Sequence, residues 1–130
     1  MQAAKISIIE NDVAIQLMYK LKFSNDGYEV KTASDGKDGL ALCESFKPDV
    51  VLLDIRMPEM NGDEMLKRMR ETKWGANIRV IILTNSSKAE APSSLRFLNV
   101  ERYIVKAHHT PSQVLDIVRE VLGEPKTKAV

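Results

Sequence analysis

A single cysteine, Cys43, stands in the 130 residues, so no disulfide can form within the chain. Glu44 beside it argues against the electropositive setting that activates a thiol, and Cys43 reads as a small apolar filler on a helix. An excess of either charge is also lacking. Nineteen Lys and Arg against 18 Asp and Glu leave a net charge of +1, which offers no electrostatic case for direct nucleic-acid binding. No apolar run approaches the roughly 20 residues needed to span a bilayer. The opening Met1-Gln2-Ala3-Ala4-Lys5 leads at once into a strand and then acids, unlike a signal peptide. A cytoplasmic protein with no membrane partner is therefore expected. Repeats and linkers are missing, so a single domain over residues 1–130 is expected, with 124–130 a flexible polar tail.

What is present centres on residues 49–62. Val50 to Leu53 is a continuous apolar run bounded by polar residues, the pattern of a short strand buried on both faces. It stops at Asp54. Met57-Pro58 and Asn61-Gly62 then supply turn chemistry, and Met65, Leu66 and Met69 fall at helical spacing. A carboxylate thus stands at the C-terminal mouth of a buried strand, where ligands and chemistry sit in open α/β sheets.

The rest of the chain repeats the alternation. Strands are expected at 5–9, 28–33, 79–83 and 102–105. The first helix carries Val13, Leu17 and Leu21 with Ile15 and Met18 at helical spacing, and Asp12 or Asn11 is available as its N-cap. The second runs over 37–46, with Leu40, Leu42 and Cys43 on or near its buried side, and Lys47-Pro48 stops it. The third is expected from about 62 to 73, with Trp74 packing against its end, and Met18, Met65 and Met69 are assigned to core positions. A fourth lies between 88 and 98, where Pro92 fits only a first turn and so shortens it. The last opens at Thr110-Pro111, buries Val114, Leu115, Val118, Val121 and Leu122, and ends at Gly123. Five strand–helix units imply a doubly wound α/β domain with a parallel sheet and helices on both faces.

Parallel strands bring their C-terminal residues to one edge. Glu10, Asn11 and Asp12 follow the first strand, Asp54 the third, Thr84 the fourth and Lys106 the fifth. Carboxylate and amide oxygens suit a hard divalent cation such as Mg²⁺. Metal, lysine and hydroxyl together can neutralise the spread charge of a phosphoryl group. A central carboxylate is a known nucleophile for phosphorus. The chemistry implied is an aspartyl phosphate.

From Ile6 to about Leu122 the chain resembles the receiver domains of two-component response regulators. The residues that carry the resemblance are Glu10-Asn11-Asp12, the Asp-x-x-Met-Pro-x-x-x-Gly run from Asp54 to Gly62, Leu83-Thr84, and Tyr103-Ile104-Val105-Lys106. The resemblance implies a flavodoxin-like (βα)5 fold with strand order 2-1-3-4-5. It implies Asp54 as phosphoryl acceptor, Glu10 and Asn11 as Mg²⁺ ligands with Asp54 and the backbone carbonyl of Arg56, and Asp12 as a further possible ligand. Thr84 and Lys106 would hold phosphoryl oxygens. Thr84 and Tyr103 would switch, reshaping the face of the fourth helix, fifth strand and fifth helix. The donor would be a sensor histidine kinase or histidine phosphotransfer protein, and the output a downstream protein partner. The domain would assist only its own phosphorylation and hydrolysis, without turnover of an outside substrate, and would be either stand-alone or part of a longer protein.

Three positions depart from the family pattern. Asn11 replaces the usual second acid, which removes charge and weakens Mg²⁺. Asn85 follows Thr84 where a small residue is usual, narrowing access to Asp54, and Arg56 and Ser86 flank the same mouth and are expected to tune phosphate lifetime. Ala107 follows Lys106 where proline is usual. A non-proline cis bond costs about 2.5–4 kcal/mol, so a trans bond is expected there, with His108-His109 a solvated loop pair. These departures support an alternative, a receiver-like interaction module that signals without phosphorylation. A flavodoxin-like cofactor binder or an aspartyl-intermediate phosphatase is disfavoured. No glycine-rich or Ser/Thr-rich phosphate cradle follows the first strand, and no second Asp lies two residues after Asp54.

Overall fold

The computed structural model describes residues 3–85 and 92–124. Five parallel strands form one sheet in the order β2-β1-β3-β4-β5, with β1 Lys5–Ile9, β2 Glu29–Ala33, β3 Val50–Leu53, β4 Arg79–Thr84 and β5 Val100–Val105. The order is the one expected. It places β1 and β3 side by side, with Ile9 opposite Leu53, so that the acids after each strand emerge together.

Alternation along β3 divides the core. Val50 and Leu52 face one cluster with Ile6, Ile8, Tyr19, Phe23, Val114 and Val118, while Val51 and Leu53 face another with Cys43, Met65, Leu66 and Met69. The first cluster draws on helices α1 (Val13–Asn25) and α4 (Pro111–Leu122), the second on α2 (Gly36–Phe46) and α3 (Gly62–Arg70). All four β3 residues are buried, which is why the run carries no polar alternation. Each fully buried Leu or Ile side chain contributes about 1.5–3 kcal/mol, and this term outweighs any single polar contact in the sheet.

Local signals set most helix ends. Asp12 caps α1 by accepting the Ile15 N–H at 3.1 Å, and Asp35 caps α2 by accepting the Asp38 N–H at 2.7 Å. Thr110 and Gln113 form a capping box around Pro111 at the start of α4, and Gly123 closes that helix in the left-handed region at φ 75°.

Several expectations are corrected. The third helix ends at Arg70 rather than near 73, because the Thr72 hydroxyl donates to the Met69 carbonyl and accepts the Gly75 N–H, folding the chain into a turn. Between β4 and β5 the described residues form a 3₁₀ turn, Ser93–Phe97, where the (βα)5 expectation placed a helix. Pro92 opens that turn without an N–H and Asn99 leaves it at φ 55°; residues 88–91 of the expected helix, and Ser86, lie outside the described residues. Strand β5 starts at Val100, two residues earlier than expected, and its register with β4 shifts at Val80/Ile81. Met18 is not in the core but 41% exposed, since α1 buries the face of Tyr19 and Phe23 and turns Val13, Leu17, Met18 and Leu21 outward. Glu124 was assigned to a flexible tail, yet its carboxylate accepts the Tyr28 hydroxyl at 2.6 Å and its N–H donates to Arg119. Residues 125–130 of that tail lie outside the described residues. The Lys106–Ala107 bond is trans, as expected, and sits in a short 3₁₀ turn, Lys106–His108. No described helix is long and apolar enough to cross a membrane.

Candidate functional site

At the C-terminal edge of the sheet lies a cleft of about 400 Å³ lined by Glu10, Asn11, Asp12, Ile15, Asp54, Arg56, Thr84 and Asn85. Its walls are the ends of β1, β3 and β4 and the first turn of α1. Main-chain bonds fix each of these ends. The Glu10 N–H donates to Ala33 and the Asp54 N–H to Ile9, both at 3.0 Å, so the two acids are the first residues past the ladder and still tied to it. The loop after Asp54 is held by the Gly62 N–H on the Ile55 carbonyl at 2.7 Å and by the Asn61 side chain, which accepts the Met57 N–H at 3.3 Å.

The two carboxylates are buried and share one cation. Lys106 Nζ is ion-paired with Glu10 Oε1 and lies 3.5 Å from Asp54 Oδ2. The other oxygens accept main-chain donors: Glu10 Oε2 takes the Asp12 N–H at 2.9 Å and Asp54 Oδ1 takes the Ile55 N–H at 2.8 Å. Burial is the largest influence on the Glu10 carboxyl and raises it above the usual carboxylate range, against the Lys106 and Asp12 bonds that pull it down; the neighbouring Asp54 charge raises it further. Asp54 Oδ2, like Glu10 Oε1, carries no main-chain bond and faces the lysine.

The donor set fits a hard oxygen-seeking cation, with little charge to spare. Glu10, Asp54, Asn11 and Arg56 all line one cleft, so two carboxylates, an amide oxygen and a main-chain carbonyl would be available to such an ion. Among the described residues no three His, Cys, Asp or Glu side chains gather as a metal cage, so the amide and carbonyl oxygens would complete the set. Asp12 stands at the rim with Oδ1 engaged as the α1 cap.

The cleft lining holds every expected site residue except Lys106, which joins it through its ion pairs with Glu10 and Asp54, and Tyr103. Thr84 is buried at the end of β4, opposite Val105 on β5. Tyr103 lies opposite Ile82 and packs half-buried against the second core cluster, away from the cleft lining. Asn85 is exposed at the mouth, as its position beside Thr84 suggests. Gln16 was not legible as a site residue. Its amide donates to the Glu10 and Ala33 carbonyls, each at 3.0 Å, and to Ser34 Oγ at 3.2 Å, tying the ends of β1 and β2 behind the acids. A polar residue in the first turns of an amphipathic helix gives no sequence signal for such a role.

A sequence model of the response regulator receiver domain matches residues 6–119. Sporulation initiation phosphotransferase F of Bacillus subtilis is 38% identical over 84 residues, 65% of this chain and 66% of its own. The solved structure of the chemotaxis protein CheY4 of Vibrio cholerae superposes with a TM-score of 0.84 at 27% identity, covering 92% of this chain and 98% of that one. The receiver domain of the sensor histidine kinase PA1611 of Pseudomonas aeruginosa, with a magnesium ion coordinated in its active-site cleft, reaches the same TM-score of 0.84 at 20% identity, over 94% and 99% of the two chains. At that identity it speaks for the fold. The chain spans 66%, 29% and 34% of the length of three curated relatives that it matches.

Proposed function

The chain belongs to the response regulator receiver domain family, and on that premise we propose that Asp54 accepts a phosphoryl group from a phosphohistidine donor. Receiver domains of this family act in two-component signalling with histidine kinases or phosphotransfer proteins. The observation that carries the reading is the placement of Asp54 Oδ2 in the cleft, 3.5 Å from the Lys106 ammonium and beside buried Thr84.

In the transfer the Asp54 Oδ2–P bond forms as the donor's P–N bond breaks, and the electron pair stays on the imidazole nitrogen. Oδ1 is already held by the Ile55 N–H, which fixes the carboxylate with its second oxygen towards the incoming phosphorus. Lys106 takes one phosphoryl oxygen and Thr84 another, and this supplies charge and hydrogen bonding where negative charge accumulates. Glu10, Asn11, Asp54 and the Arg56 carbonyl would hold Mg²⁺, and Asp12, which lines the same cleft, would be a further ligand. The bound ion supplies further positive charge against the phosphoryl oxygens. Hydrolysis returns the carboxylate and inorganic phosphate. The acyl phosphate carries about −1.5 to −2 charge where the carboxylate carried −1, and this draws on Thr84 and moves Tyr103 and the turn at Ser93–Phe97, whose Leu95 belongs to the core cluster that Tyr103 packs against. The donor sits over the first turn of α1, where Asp12 and Ile15 line the cleft and exposed Val13, Leu17, Met18 and Leu21 continue the surface.

Intact-mass spectrometry after incubation with acetyl phosphate and Mg²⁺ tests the reading, with Asp54→Ala alongside. One added phosphoryl group in the wild type and none in the variant is the expected result. No gain from acetyl phosphate or from a histidine-kinase donor, with circular dichroism unchanged, would overturn it and favour a module that signals without phosphorylation.

A further inference from the structure

The candidate metal ligands stand on two separate pieces of chain. Glu10 and Asn11 follow β1, while Asp54 and Arg56 follow β3. Direct pairing of these strands ends at Ile9 and Leu53, and the Asp54 N–H closes it on the Ile9 carbonyl at 3.0 Å. From Glu10 onward the first piece turns to β2 instead, with the Glu10 N–H on the Ala33 carbonyl at 3.0 Å. The peptide between Glu10 and Asn11 lies past the ladder, and its carbonyl accepts from the half-buried Gln16 side chain at 3.0 Å. The same amide nitrogen reaches the Ala33 carbonyl at 3.0 Å and Ser34 Oγ at 3.2 Å. Carbonyls only accept, so the NH₂ end of Gln16 must face them and its orientation is fixed. Two residues on, the Gly36 N–H donates to the Met60 carbonyl at 3.1 Å, and a methyl group on Gly36 would collide with that oxygen. Residues 34–36 therefore bridge the β1 end, through Gln16, and the loop after Asp54 and Arg56, through Met60.

We propose that Gln16 is a positioning residue for the divalent-cation pocket, and that with the bridge at 34–36 it holds the ligands in the strict geometry that favours Mg²⁺ over Ca²⁺. The role rests on the reading that Glu10, Asn11, Asp54 and the Arg56 carbonyl hold the ion. Mg²⁺ demands near-octahedral oxygens at about 2.0–2.1 Å, whereas Ca²⁺ accepts about six to eight oxygens at about 2.3–2.6 Å in looser geometry. Gln16 acts through the main chain. With its hydrogen bond gone, the Glu10–Asn11 peptide can turn, and the Glu10 carboxylate and Asn11 amide move relative to each other and to Asp54. A large, adaptable ion tolerates that movement and a small, strict one does not.

The experiment is a pair of calorimetric titrations of the unphosphorylated chain, with Mg²⁺ and with Ca²⁺, for wild type, Gln16→Met, Gln16→Arg and Gly36→Ala. Gln16→Met keeps the side-chain length and the helix propensity but donates nothing. It is expected to weaken Mg²⁺ about tenfold, the scale seen when a group that orients a metal ligand is lost, and Ca²⁺ by no more than about twofold. Gln16→Arg restores donors to the two carbonyls and is expected to recover most of the Mg²⁺ preference, since its added charge weakens both ions alike. Gly36→Ala, which forces the bridge away from Met60, is expected to lower the same ratio. A general loss of order weakens both ions together, so the ratio separates positioning from stability. In the wild type, the Gln16 side-chain NH₂ signals are expected to exchange slowly with water and to shift with the midpoint of Mg²⁺ binding, a readout that needs no variant to fold. An unchanged Mg²⁺-to-Ca²⁺ ratio in folded Gln16→Met, or Gln16 signals indifferent to Mg²⁺, overturns the role and leaves the metal site standing. A wild type that binds neither ion removes the metal reading and this role together. Acetyl-phosphate labelling of Asp54 in the same samples reports on the acceptor separately.

Discussion

A methyl group on Gly62 would lie 2.1 Å from the main-chain oxygen of Asp54 and 3.0 Å from the Ile55 Cα. Both neighbours are backbone, so neither can swing aside as a side chain could. Gly62→Ala is expected to cost about 1–3 kcal/mol in urea unfolding, the usual range for overpacking a close contact. It is also expected to slow acetyl-phosphate labelling of Asp54 severalfold, because the loop that presents Oδ2 must shift. Labelling at the wild-type rate in a destabilised variant would separate loop stability from acceptor geometry. At this scale the sequence was legible where a residue ends a strand. Asp54, Thr84 and Lys106 follow apolar runs, and the alternation of elements puts them on one edge. Gln16 was not legible, because its three acceptors belong to two other segments and only folding brings these to one amide.

Arg70 shows what one side chain does at the scale of elements. From the last turn of α3 its guanidinium donates to five carbonyls: Gly75, Ala76 and Ile78 at 2.9, 3.3 and 2.7 Å, and Leu98 and Asn99 at 2.8 and 3.0 Å. It pins the α3–β4 connection to the chain entering β5. Arg70→Met is expected to cost about 2–3 kcal/mol, with water recovering part of five charge-assisted bonds. Arg70→Lys is expected to recover less than half, since an ammonium cannot fork to both connections. Urea unfolding gives the energies. Hydrogen exchange should rise together at 75–78 and 98–101, and a rise in only one segment would disprove the pin. Helix α1 teaches the opposite lesson. Its hydrophobic spacing was read correctly as helical, but two apolar stripes share the helix, and the sequence did not say which faces the sheet. Tyr19 and Phe23 settle it through contact with Tyr28 and the inner strands, leaving Val13 and Leu17 at 68% and 52% exposure.

Cys43 reports on the molecule as a whole. It is fully buried between α2 and the sheet, and burial pushes its thiol from an ordinary value of 9 up to about 12. The native state holds the proton longer than the unfolded chain does, so this group's share of stability is intact below pH 9. It is lost as pH rises from there towards about 12, by about 1.4 kcal/mol per pH unit. Wild type is therefore expected to lose stability faster than Cys43→Ala above pH 9, a comparison that removes the shared titration of lysines. At neutral pH the thiol should react with a disulfide reagent only as fast as the whole domain opens, with a urea dependence matching global unfolding. Fast labelling of native protein would show a local opening of α2.

Period, punctuation and order along the chain determined the class of fold. Four apolar residues in β3 with no polar alternation require cover on both faces, and alternating strands and helices supply that cover only around a parallel sheet. The same order fixed which residues meet at one edge, because side chains at strand ends go where the strands go. Tertiary structure alone decided what those side chains do to each other. The pairing of Lys106 with Glu10 and the outward stripe of α1 both depend on contacts between segments distant in sequence. Local propensity carries no record of such contacts, since their energies exist only once burial has removed water from between the partners.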